Sequence, residues 1–398
     1  MNRYKKSIEL TKLARLVTPG GVQTMSKRAE RFPEGAFPAY LTGGEGANVW
    51  DIDGNEYVDY ICGLGAVSLG YENDEITNAV INASAFPTSS LGSPLEAEVA
   101  QMLIDMIPCA EMVRFMKTGS EACSAAVRIA RRYTNREGII SIGYHGWHDW
   151  AVQDGIDNGY TSFIPYNDLD RIETCFKSYE TAAVIIEPVL FEPPQERYLE
   201  DVIHLCDLYG ALCIFDEMVT GFRWSLTGAS GYFNVKPNMA VYGKALANGF
   251  PLACVVGPRK VMKYADCISG TFGGETVSLA AARAAIPQHD GSIVRQWDRG
   301  MELDDMLDDL NIPHSGYMVH PRIDYTGKKM ALFLQETAQG GVLFHPGGFN
   351  ISAALTDEDM IQTQKALERA VRAIRGGAKL EGKMPRSRPF SLSSTHVQ

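Results

Sequence analysis

The 398-residue chain lacks the marks of several protein classes. Positive charge is scarce: 37 Lys and Arg face 48 Asp and Glu, a formal net charge of −11. Binding to a phosphate backbone favours the opposite balance, so no nucleic-acid partner is expected. No apolar run approaches the ~20 residues that cross a bilayer, so no membrane partner is expected either. The eight cysteines are scattered (Cys62, Cys109, Cys123, Cys175, Cys206, Cys213, Cys254 and Cys267), with no C-x-x-C pair. That pattern argues against a disulfide framework or a zinc site and predicts free thiols in a reducing, cytoplasmic compartment. The stretch Met1 to Val17 is basic and amphipathic without the apolar core of a signal peptide, and reads as a helical arm. No repeat or low-complexity block is visible. What remains is ordinary: 45% hydrophobic and 21% charged residues, a globular composition. At roughly 150 residues per domain, the length predicts two or three domains.

The chain divides into three parts. Residues 1–60 read as an arm and a hairpin, with strand-like runs Ala47 to Ile52 and Glu56 to Tyr60. Asp53-Gly54 between them predicts a two-residue type I′ turn. Residues 61–285 read as the large domain. Within it, apolar strands at Met112 to Met116, Gly138 to Ile142, Ala182 to Ile186, Ala211 to Phe215, Met239 to Tyr242 and Leu252 to Val256 alternate with helical text at Ser120 to Tyr133, Leu169 to Tyr179 and Glu196 to Tyr209. Ser120 is the expected N-cap of the first helix, and Gly210 ends the last. Short strands apolar on both faces predict an α/β fold, a mainly parallel sheet covered by helices. Residues 286–398 read as a smaller α+β domain with a final helix from Asp357 to Ile374 and a mobile tail end.

In an open α/β sheet, ligands bind beyond the carboxyl ends of the strands. Those ends carry Lys117-Thr118-Gly119-Ser120, Tyr144-His145-Gly146-Trp147-His148, Glu187-Pro188, Asp216-Glu217-Met218 and Gly243-Lys244. Taken singly, each has a plain reading: a cap, a core aromatic, an ion-pair partner, a surface lysine. His145 and His148 stand at i and i+3 with no third ligand nearby, so no metal is expected. Gly63-Leu64-Gly65-Ala66-Val67-Ser68 begins like a dinucleotide fingerprint, but Ser68 stands where the third glycine belongs. Together, a phosphate-cradling helix start, a flat aromatic, a carboxylate and a strand-end lysine meet the needs of pyridoxal phosphate. The lysine forms a Schiff base with its aldehyde, and the carboxylate keeps the ring nitrogen protonated.

With these motifs in place, the chain resembles the class III aminotransferases of pyridoxal-phosphate fold type I, in particular the group around glutamate-1-semialdehyde aminomutase. The most specific segments are Val49 to Tyr57, Tyr144 to His148, Phe215 to Arg223 and Tyr242 to Leu246, and the likeness runs from about Pro19 to Ser352. The resemblance implies a seven-stranded sheet and a small domain built from both ends of the chain. It implies Lys244 as the cofactor-bearing lysine, Asp216 as partner of the ring nitrogen, and Tyr144 and Met218 on opposite ring faces. Gly119 and Ser120 would bind the phosphate, with His145 and Glu187 near the cofactor. Thr271, in Ser269 to Gly274, would reach the phosphate of a neighbouring subunit, which implies a homodimer. The activity implied is transfer of an amino group from a small-molecule donor to an aldehyde or ketone. The alternatives are an intramolecular aminomutase and an idle relative. Departures from the aminomutases include Leu64 in place of their tryptophan and Ala247-Asn248-Gly249 in place of a glycine run. Lys27, Arg28 and Arg223 are candidate substrate contacts without assigned roles. The chain is also short for the family, and the shortening is expected after Trp150 and between about 285 and 334.

Overall fold

The computed structural model describes residues 3–152 and 160–386. The expected tail end, and much of the segment after Trp150, lie outside the described residues. Among the described residues two compact units are present: 3–73 with 294–386, and 74–152 with 160–293.

The first unit holds a four-stranded sheet in the order Leu41–Glu45, Asn48–Asp51, Glu56–Asp59, Val342–Leu343. Two pairings are antiparallel, and the last is parallel. Val49, Tyr57, Val58 and Tyr60 pack into a core with Phe333, Phe344, Phe349 and one face of the helix Asp357–Arg375. The hairpin turn differs from the type I′ expectation. Asp51 and Asn55 pair across a three-residue loop, Gly54 alone adopts a left-handed φ of 87°, and Asp53 does not. The Asp51 side chain accepts the Asn55 N–H at 2.8 Å, which favours the longer loop closed by a left-handed glycine.

The second unit is built on a seven-stranded sheet in the order Met112–Met116, Ala253–Gly257, Met239–Tyr242, Leu212–Asp216, Thr181–Ile186, Gly138–Ile142, Thr161–Phe163. Ala253–Gly257 is antiparallel to both neighbours, and the other pairings are parallel. Six strands therefore end on one rim. The four central strands among these six are buried along their whole length. Water is excluded from both faces, so Ile and Val runs there each contribute ~1.5–3 kcal/mol per side chain buried. The helix Gly119–Thr134 lies against this sheet through Ala122, Ala125, Ala126, Ile129 and Ala130. Its N-cap is Thr118 rather than Ser120. Thr118 and Glu121 form a reciprocal capping box, and Glu121 also accepts the Lys117 N–H.

Candidate active site

The cap leaves the N–H groups of Gly119 and Ser120 outside its hydrogen bonds, at the positive end of a 16-residue helix dipole. Three glycines bring neighbouring loops against this start. A Cβ on Gly119 would lie 3.1 Å from Met218 Sδ, and one on Gly243 would lie 2.7 Å from the same sulfur. Met218, almost fully buried, is thus wedged between the helix start and the turn that carries Lys244. Gly146, with φ 102°, rests directly on Ser120, where a Cβ has no room.

Asp216 ends its strand buried, with three donors around its carboxylate. Met218 N–H donates to Oδ1 at 3.1 Å, while His145 Nδ1 at 2.8 Å and Cys123 Sγ at 3.3 Å address Oδ2. These interactions offset much of the cost of a buried charge. His145 and His148 diverge: His148 Nδ1 faces the Ser124 hydroxyl at 2.7 Å. Cys123, His145 and Asp216 form a set of three donor atoms of the kind a metal ion can use. That set surrounds the carboxylate at the strand end.

Glu187 lies one strand over and accepts the Tyr144 N–H at 2.7 Å. Burial, then the nearby charge of Asp216, push its carboxyl up to about 7. Gly143, φ 106°, has no room for a Cβ beside Glu187. Tyr144 itself is exposed, and its ring is open to solvent on the rim.

Lys244 follows its strand in a left-handed turn, φ 47°. The residue is half-buried. Burial holds its pKa below the usual lysine value, opposed by the charges of Glu187 and Asp216. The next residue is pinned from a distant helix: His289 Nε2 lies 3.0 Å from the Ala245 carbonyl, and burial holds the His289 pKa down to about 4. Nothing local in the sequence marks His289, 44 positions away. Cys123 carried a readable signal, four residues after Gly119 and so on the same helix face.

Thr271 sits on an exposed loop lining an open groove of about 1090 Å³ with Lys117, Arg128, Arg132 and Trp150. Lys117 pairs with Glu275 beyond that loop at 2.7 Å. Arg223 is completely buried and donates to the Val219 carbonyl at 2.6 Å, within its own turn. Lys27 and Arg28 belong to the other unit.

A helix start suited to phosphate, a carboxylate with an acceptor position to spare and a desolvated lysine fit pyridoxal phosphate from end to end. With the seven-stranded sheet they define a fold type I pyridoxal-phosphate-dependent enzyme. The comparisons narrow the class. The profile described as "Aminotransferase class-III" matches residues 32–370. The chain is 38% identical over 299 residues to the 3-aminobutyryl-CoA aminotransferase of Cloacimonas acidaminovorans (strain Evry), covering 70% of this chain and 72% of that protein. It is 31% identical, over an alignment of 430 residues, to the glutamate-1-semialdehyde 2,1-aminomutase of Bacillus subtilis (strain 168), covering 94% and 99%. Among solved structures, the PLP internal aldimine form of the FumI protein of Sphingopyxis sp. MTA144 superposes with a TM-score of 0.89. It shares 27% identity and covers 95% of this chain and 99% of that one. The chain belongs to the class III aminotransferase family. No described helix is long and apolar enough to cross a membrane.

Proposed function

We propose that the enzyme moves an amino group from a small-molecule donor to a separate aldehyde or ketone acceptor, with the strand-end cluster as its catalytic centre. Lys244 carries this reading. A half-buried lysine at a strand end, its pKa lowered by desolvation, is poised to act as nucleophile and base. Pyridoxal phosphate, when bound, supplies a carbonyl carbon that takes up amines and a ring that accepts electrons as a proton leaves. Gly119 and Ser120 bind its phosphate at the helix start. Met218 would cover one ring face and Tyr144 the other. Asp216 holds a proton at the ring nitrogen. His145 fixes the Asp216 carboxylate. Lys244 Nζ would take the α-proton of the donor and would give it back at the cofactor's aldehyde carbon, two bonds along through the amino nitrogen. Glu187, beside the Tyr144 backbone, sets the charge that Lys244 feels.

Thr271 is assigned to the phosphate of a second copy, so the working unit is a homodimer. The free thiols suit the cytoplasm. The small unit is assigned to the two ends of the chain, on either side of the cofactor-binding part. Leu64, in place of the aminomutase tryptophan, and the similarity to an aminotransferase favour transfer between two molecules over intramolecular rearrangement.

Isotope transfer tests this. With a ¹⁵N-amino donor panel and an added carbonyl acceptor, the acceptor's amine product carries ¹⁵N. An isomer formed from one substrate, with no label passing to any acceptor, would establish the aminomutase reading instead.

A further inference from the structure

Cys123 is a buried thiol that no step above uses. It lies 3.3 Å from Asp216 Oδ2, on the helix whose first turn is the phosphate cradle. Gly119 and Cys123 are four residues apart, one turn and ~6 Å of rise. One rigid element thus touches both the expected phosphate position and the expected ring-nitrogen carboxylate.

An ionised carboxylate offers about four lone-pair positions. At Asp216, Oδ1 accepts from Met218 N–H, and Oδ2 faces both His145 Nδ1 and Cys123 Sγ. Oδ2 is therefore filled, and the remaining position is on Oδ1. We propose that Cys123 is a positioning residue: its S–H holds Oδ2 and so turns Oδ1 toward the ring nitrogen of the cofactor. The thiol suits this role because it stays protonated. Burial, then the charge of Asp216, hold it well above the ordinary cysteine value, so it donates rather than competing as a second anion. Without the thiol, Oδ2 keeps His145 alone, and the carboxylate, held by His145 and the Met218 N–H, is less tightly restrained about its Cβ–Cγ bond. The inference rests on Asp216 being the ring-nitrogen partner.

The test uses the full-length holoenzyme loaded with pyridoxal phosphate labelled with ¹⁵N in the ring. The readouts are the ring ¹⁵N resonance and the cofactor dissociation constant, in wild type and in Cys123→Ala, Cys123→Ser and Asp216→Asn. In Cys123→Ala the resonance is expected to move toward the unprotonated position, with cofactor binding ~5-fold weaker, the scale of one weak hydrogen bond. Cys123→Ser, which restores a donor, is expected to stay nearer wild type. The proposal is overturned if Cys123→Ala matches wild type in both readouts while Asp216→Asn moves the resonance. It is also overturned if Cys123→Ser is displaced as far as Cys123→Ala, which would mark a packing effect. If Asp216→Asn leaves the resonance in place, the assignment of Asp216 itself fails, a separate result.

Discussion

Glu187→Gln isolates the electrostatic cost at the centre of the site. In the folded protein, burial and then the Asp216 charge raise the Glu187 carboxyl from 4.5 to about 7. An acid with a raised folded pKa binds its proton more tightly when folded than when unfolded. Its stabilising effect is complete below the unfolded value and is lost as pH rises through the folded one. Between about pH 4.5 and 7 this group therefore erodes stability, and ~2.5 units at ~1.4 kcal/mol each give ~3 kcal/mol. Glutamine keeps the shape and cannot ionise. It also weakens the acceptor for the Tyr144 N–H, 2.7 Å away, by ~1 kcal/mol. The variant should then be ~2 kcal/mol more stable than wild type at pH 8 and slightly less stable at pH 5. Urea unfolding of the cofactor-free protein at several pH values measures this. Glu217 is also raised to about 7 and adds a similar slope, but it is present in both proteins and cancels in the difference. Parallel stability curves for the two proteins across pH 5–8 would refute the reasoning.

Other outcomes follow from single contacts. Gly146→Ala places a Cβ into Ser120 at a left-handed φ and should cost ~2–4 kcal/mol, read as a lowered urea midpoint. His289→Ala removes one of the two partners of the Ala245 carbonyl, which keeps the Asn248 N–H at 3.1 Å, so it should cost ~1 kcal/mol and loosen the Lys244 turn, read as faster hydrogen exchange at Ala245 and Leu246. Thr271→Ala should weaken cofactor binding ~10-fold at protein concentrations that hold the dimer, and have no effect on a dissociated subunit. Equal loss in both states would place Thr271 in its own subunit's site.

The sheet was legible because its central strands are buried on both faces, and continuous apolar runs such as Ala182 to Ile186 have few other readings. The strand-end residues followed from direction alone, since parallel strands deliver what comes after them to one rim. Elements with mixed patterns were harder to see. The helix Gly327–Gln339 is buried without interruption from Met330 to Ala338, so no polar stripe gives it a helical period, and no helix was assigned to it. The helices Asp74–Ser84 and Pro94–Met106 were not assigned at all, although Ser93 and Glu96 form a capping box. In the site, Asp216 and Lys244 were readable as residue types at strand ends. The contacts of Cys123 with Asp216 and of His289 with the Ala245 carbonyl run over 93 and 44 positions, and of the two only Cys123, one helical turn after Gly119, carried a local signal. Arg223 is completely buried and donates to the Val219 carbonyl, and its charge acts on Lys244 and His289, a proximity that its place in the sequence does not show.

The central claim is that Lys244 is where this chain holds its cofactor. Borohydride reduction of the pyridoxal-phosphate-loaded protein, followed by peptide mapping by mass spectrometry, tests it directly. A single pyridoxyl-phosphate adduct on the peptide containing Lys244, absent in Lys244→Ala, is the predicted result. An adduct on another lysine, or one that persists in Lys244→Ala, would contradict the account.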